Sequence, residues 1–130
     1  MPIETGMQYE ARTMVNKANT ALAVGSGAVE VFATPMMIAL MEQAAAGCAA
    51  PALAEGQVTV GAEIQVEHTA ATPIGMQVRA VATVTAVSGR QINFALSAYD
   101  DCGEIGRGTH TRFIVDRDKF MRRAQEKKAL

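Results

Sequence analysis

Cysteine and histidine are scarce in this chain: Cys48, Cys102, His68 and His110 are the only ones among 130 residues. The cysteines are far apart, show no C-x-x-C spacing and have no histidine cluster beside them, so neither a zinc site nor a disulfide framework is indicated. A reducing cytoplasm fits this usage best, and no metal or cofactor is expected. Charge of one sign is also missing. The formal net charge is −1, which provides no global field to draw in nucleic acid or an anionic membrane, and neither is expected as a partner. Basic residues do gather near the end (Arg117, Lys119, Arg122, Arg123, Lys127, Lys128), where they suit either the solvated end of an amphipathic helix, the simpler reading, or contact with a phosphate-rich ligand. The start, MPIETGMQYE, has two glutamates and no apolar segment, so it does not read as a secretory signal. Repeats, low-complexity stretches and long linkers are absent. One domain over residues 1–130 is expected, large enough to bury a core yet short for an enclosed active site of its own, so oligomerisation is expected too.

What is present is a lone charge in an apolar run. Glu42 is the only charged residue between Glu30 and Glu55, inside VFATPMMIALMEQAAAGCAAPALA. Desolvating a carboxylate is costly, so Glu42 must find hydrogen-bond partners or line a pocket where chemistry uses it. The run approaches the length of a bilayer span, but Glu42, Gln43, Gly47 and Pro51 interrupt it, and a central helix of a soluble protein is the better reading.

The pattern around that run is mixed. Residues 7–15 suggest a first strand, and residues 16–33 a flexible connection containing Gly25-Ser26-Gly27 that arches over a site. Thr34 before Pro35 predicts an N-cap followed by proline at the first helical position. The helix should run to about residue 50 and stop before Pro51. It is apolar nearly all round, as expected of a helix wrapped by other structure. The period then changes to two: Val58, Val60, Ala62, Ile64 and Val66 alternate with polar residues or glycine, which predicts a strand with one buried face. Thr72 to Gly75 reads as a turn, residues 76–87 and 91–99 as a hairpin through Ser88 and Gly89, and residues 104–115 as a last strand before a polar helix over 116–128. A long buried helix followed by an antiparallel meander is an α+β pattern, with a sheet that curls around the helix.

Several residues are candidates for chemistry. His68 shares the parity of Val58 to Val66, at the strand end, where it is either a strand-end residue satisfied by loop carbonyls or a general base. Thr34 is either a helix cap or a nucleophile in need of an adjacent base. Arg112 is either a surface charge or a substrate contact, Gly61 marks a bulge or a close backbone approach, and His110 is expected in a structural or exposed role. No G-x-S-x-G elbow, glycine-rich phosphate loop or H-E-x-x-H motif accompanies them.

Taken together, VFATPMMIALMEQAA, VGAEIQVEHTAATPIGMQV and EIGRGTHTRFIVDRDKF resemble the fluoroacetyl-CoA thioesterase-like branch of the hotdog-fold thioesterases, from Val31 to about Phe120. The resemblance implies a catalytic threonine, glutamate and histidine, which fall on Thr34, Glu42 and His68. It implies substrate contacts from a strand glycine and a last-strand arginine, matching Gly61 and Arg112. It also implies a hotdog homodimer with the site at the subunit interface, and hydrolysis of a small acyl-CoA thioester to free acid and coenzyme A; the alternative is a non-catalytic acyl-CoA-binding hotdog protein. A hydratase of the same fold class is the third and weakest option. In the family pattern the segment before Thr34 is longer and aromatic and covers the acyl group. Here TALAVGSGAVEVFA has Phe32 as its only aromatic, so a more open acyl pocket and broad activity on short acyl-CoAs are expected.

Geometry bears on the interface. On one helix Thr34 and Glu42 would be ~12 Å apart in rise. On one straight strand Gly61 and His68 would be ~23 Å apart and on opposite faces. They can serve one pocket only through a bend, a bulge, the substrate or a partner subunit.

Overall fold

The computed structural model describes residues 2–130. Its elements are strand β1 (Gln8–Met14), a short helix α1 (Ala21–Val24), the long helix α2 (Thr34–Ala49), strands β2 (Gln57–His68), β3 (Gln77–Ser88), β4 (Gln91–Asp100) and β5 (Gly103–Asp116), and helix α3 (Arg117–Glu126). The five strands form one antiparallel sheet in the order β1-β3-β4-β5-β2. Two tight hairpins set this order. Ser88 pairs with Gln91 across Gly89, whose φ of +59° suits a two-residue turn, and Asp100 pairs with Gly103 across Asp101 and Cys102. The sheet curls over α2 in the expected α+β, hotdog arrangement.

The core lies between α2 and the inner face of the central strands. Alternation is strict there: Val78, Ala80, Ala82 and Val84 on β3, and Ile92, Phe94, Leu96 and Ala98 on β4, are all buried. Against them α2 presents Met37, Leu40, Met41, Ala44, Ala45, Cys48 and Ala49. Alanine facing alanine lets the helix sit close to the sheet, while the flexible methionines fill the gaps left at its edges. Truncating a residue such as Met41 to alanine would cost roughly 2–5 kcal/mol. The wrap is one-sided, however. Thr34, Pro35, Ala39 and Gln43 on the far side of α2 remain exposed, so the helix is not enclosed by its own chain.

Three sequence expectations need correction. Thr34 is not the N-cap. Ala33 occupies that position with extended backbone and no side-chain cap, Pro35 is the second helical residue, and the Ala33 carbonyl accepts from the amides of Met36 and Met37. The first turn lacks one donor at Pro35, which reduces the need for a cap. Next, β2 does not keep one apolar face. Its pairing with β5 slips between Gly61 and Glu63, a bulge at Ala62 that reverses the parity of the strand. Ile64 and Val66 pack against the core, whereas Val58 and Val60 on the other side of the bulge do not. Finally, residues 16–33 are folded rather than loose. Asn16 and Asn19 make a reciprocal capping box, Gly25 closes α1 with φ of +79°, and backbone bonds tie Ala21 to Val31, Phe32 to Thr72 and Ala33 to Asn19. Phe32, buried, anchors the segment.

Among the described residues, no helix is long and apolar enough to cross a membrane.

Candidate active site

The five candidate residues fall into two groups. The first sits where the start of α2 meets the end of β2. Thr34 Oγ1 and His68 Nδ1 are 2.7 Å apart, in hydrogen bond. His68 reaches this point because the bulge at Ala62 places it, with Ile64 and Val66, on the face of β2 that looks toward α2. Burial lowers its pKa below the ordinary histidine value, with the Ala70 backbone acting in the opposite sense. The ring is therefore neutral at pH 7, a state in which Nδ1 can accept the threonine proton. Nε2 is buried and makes no hydrogen bond to the described residues. Both side chains open into a cavity of about 350 Å³ that the 16–33 segment roofs with Ala21, Gly27, Val31 and Phe32.

The second group sits two turns further along α2. Arg112 Nη1 donates to Glu42 Oε2 at 3.2 Å, and His110 Nε2 is 3.2 Å from the same nitrogen. Arg112 is further held by Nε to Thr59 Oγ1 and by Nη2 to the Thr59 carbonyl, both at 2.9 Å. Burial lowers the pKa of Arg112, partly offset by Glu42, yet a guanidinium stays charged near neutrality. The lone carboxylate of the apolar run thus has the partner that its environment requires, although 41 % of its side chain is still exposed, against 9 % for Arg112. Its Oε1 makes no hydrogen bond to the described residues and is free for a substrate or a water.

Gly61 belongs to this second group. It pairs with Arg112 across the sheet, and a Cβ placed on it would lie 2.5 Å from Glu42 Oε2 and 3.2 Å from His110 Cε1. Both readings made of it from sequence, a bulge and a close approach, hold. Beside this group a second cavity, about 440 Å³, runs between the end of α2 and the start of β2, lined by Ala46, Ala50, Leu53, Val58 and Thr59. Other surface depressions, around Ser97 and Arg107 and along α3, hold none of these groups.

The structure thus joins Thr34 to His68, and Glu42 to Gly61 and Arg112, but no hydrogen bond or ion pair links the two groups within the chain. Arg112 is buried rather than a surface charge. His110, expected to be structural or exposed, is buried within hydrogen-bond reach of Arg112. The signal that marks it is parity: residues 110 and 112 project from the same face of β5, opposite Ile64 and Gly61, across the bulge.

Known proteins share this architecture. A family model described as fluoroacetyl-CoA-specific thioesterase matches residues 15–118. The chain is 43 % identical over 98 residues to the fluoroacetyl-CoA thioesterase of Streptantibioticus cattleyicolor, covering 75 % of this chain and 70 % of that one. A crystal structure of the fluoroacetyl-CoA thioesterase FlK superposes with a TM-score of 0.93 at 34 % identity over 98 % of both chains. A variant of that enzyme in complex with fluoroacetate and CoA matches with a TM-score of 0.85 at 36 % identity, over 90 % of this chain and 98 % of that one. A thioesterase superfamily member from Thermus thermophilus matches with a TM-score of 0.89 at 28 % identity, over 98 % and 97 % of the two chains.

Proposed function

This chain belongs to the fluoroacetyl-CoA-specific thioesterase family and is an acyl-CoA thioester hydrolase of hotdog fold; we propose that it acts on small acyl groups at a site shared by two subunits, with Thr34, Glu42 and His68 as its catalytic set. The observation that carries this reading is the division of the site. Thr34 and His68 form a nucleophile and base pair at a cavity of small-molecule size, while Glu42 lies two turns away with one oxygen held by Arg112 and the other free. A homodimer that sets the Thr34–His68 pair of one subunit against Glu42 of the other completes the set. Support for the dimer comes from the uncovered face of α2 and from β2, a twelve-residue strand at the sheet edge whose outer backbone groups lack a partner strand.

The chemistry is hydrolysis of the thioester to free acid and coenzyme A. Either the Thr34 hydroxyl, giving its proton to His68, or a water deprotonated by Glu42 and His68, adds to the thioester carbonyl carbon. Collapse of the adduct breaks the C–S bond, and the departing thiolate takes a proton from the imidazolium. If Thr34 adds, a water then cleaves the acyl ester. Gly61 brings the backbone of β2 close to Glu42 and is assigned to substrate contact through its N–H. Arg112 commits four of its five N–H donors to Thr59, Glu42 and His110, so one Nη2–H remains for substrate.

The roof of the acyl cavity combines the small residues Ala21, Ser26 and Gly27 with Val29 and Val31, and Phe32 is its only aromatic, so we assign the enzyme to a range of short acyl-CoAs. We read the whole chain as one catalytic module in a reducing cytoplasm, in keeping with its two free cysteines, Cys48 buried and Cys102 exposed. The test is thiol release from a panel of short acyl-CoAs, acetyl and fluoroacetyl included, by wild type and Glu42→Gln. Release that depends on Glu42 is expected. Binding of the panel without release would leave a non-catalytic acyl-CoA-binding protein instead.

A further inference from the structure

We propose that His110, neutral and fixed in its Nδ1–H tautomer, is a positioning residue that aims Arg112 at Glu42 by accepting a hydrogen bond from the guanidinium. The inference rests on the assignment of Glu42 to catalysis. His110 Nδ1 lies 2.7 Å from the Glu63 carbonyl oxygen, which can only accept, so Nδ1 carries the proton. Nε2 faces Arg112 Nη1 at 3.2 Å; every guanidinium nitrogen donates, so Nε2 must offer its lone pair. Both neighbours therefore select one tautomer. The side chain is 1 % exposed, so the protein supplies its surroundings. The groups facing the ring are the Glu63 carbonyl from β2, Arg112 from its own strand, Glu42 from α2 and, from β4, the Phe94 ring at 6.2 Å between centroids.

Protonated, the ring would point an N–H at the arginine. Burial and the arginine charge both oppose that, while the Glu63 carbonyl and the Glu42 carboxylate, 3.8 Å from Nε2, favour it; the balance lowers the histidine pKa. The consequence for Glu42 is geometric. One Nη1 proton goes to His110 and the other to Glu42 Oε2, so the direction of the second is set by the first. The bulge is part of the device, because it brings the carbonyl of Glu63 to Nδ1 at the point where the ladder slips.

Two substitutions separate the halves of the ring. Asparagine reproduces Nδ1 and its bond to Glu63 but not Nε2; glutamine places an acceptor near Nε2 and gives up the bond to Glu63. His110→Asn should lower kcat about tenfold or more with KM within about twofold, and His110→Gln should keep kcat within about threefold of wild type. In parallel, 15N NMR of the wild-type imidazoles, assigned with His68→Asn, should show His110 neutral and protonated at Nδ1. Equal activity of the two variants, or a proton on Nε2 of His110, would overturn the proposal. The spectrum needs no His110 variant to fold and no turnover, and wild-type thiol release is followed beside it. An inactive wild type with the expected tautomer would sink the catalytic reading while leaving the geometry of His110 intact.

Discussion

The two halves of the site are built on opposite plans. Thr34 and His68 share one hydrogen bond at an open cavity, with the threonine exposed. Glu42 is gripped from β5 by Arg112, which is itself pinned by Thr59 and His110 and almost wholly buried. A nucleophile needs access to the acyl carbon and freedom to change partners during the reaction. A carboxylate set in an apolar helix needs a fixed counter-charge, and here Arg112 is held by Thr59 from β2 and His110 from β5.

Substitutions that sharpen this contrast should differ in size. The largest effect is expected at Glu42: Glu42→Gln should lower kcat by roughly 10²–10⁴-fold, read by thiol release, while gel filtration shows the same elution as wild type. Near-normal turnover would remove Glu42 from the chemistry. At Thr34 the loss should depend on the hydroxyl. Thr34→Ala should fall well over about tenfold and Thr34→Ser should retain most activity if the hydroxyl attacks the acyl carbon. Equal rates in all three proteins would assign attack to water. At Gly61 an added methyl group meets Glu42 Oε2, so Gly61→Ala should lower kcat about tenfold by displacing the carboxylate, with a thermal midpoint only slightly reduced.

The smallest effect concerns pH. The folded-state pKa values of His68 and His110 both lie below the unfolded value of 6.5, mainly through burial. Between those values the unfolded chain binds more protons, so the stability they contribute is fully present above 6.5 and lost as pH falls through the folded values. Urea midpoints should therefore drop on going from pH 7.5 to 5.5, and His68→Asn combined with His110→Gln should flatten that drop. An unchanged slope in the double variant would assign it to other groups.

Much of the fold could be read from the residues. Strands β3 and β4 alternate cleanly because each is buried on one face along most of its length, and α2 stands out because its apolar run is so long. β2 was harder. Its alternation of Val58, Val60, Ala62, Ile64 and Val66 looks continuous, but Ala62 has no partner in the ladder and the face reverses there. Nothing in a string of small and branched residues marks such a slip, and Gly61 was its only hint. Thr34 shows a similar limit: Thr-Pro suits a cap, yet the hydroxyl turns to a histidine 34 positions later, a contact that local pattern does not encode. His110 escaped for the same reason, since its role depends on the Glu63 carbonyl 47 positions away.

The central claim is that the two halves work across a subunit boundary. Thr34→Ala and Glu42→Gln, each expected to be strongly impaired alone, should be mixed in equal amounts under conditions that exchange subunits, and thiol release from acetyl-CoA followed. A shared site gives every mixed dimer one pair of halves free of either substitution, so activity should return to about a quarter of wild type. If each chain used its own Thr34, His68 and Glu42, no mixed dimer would hold an intact site, and the mixture would stay as inactive as its components.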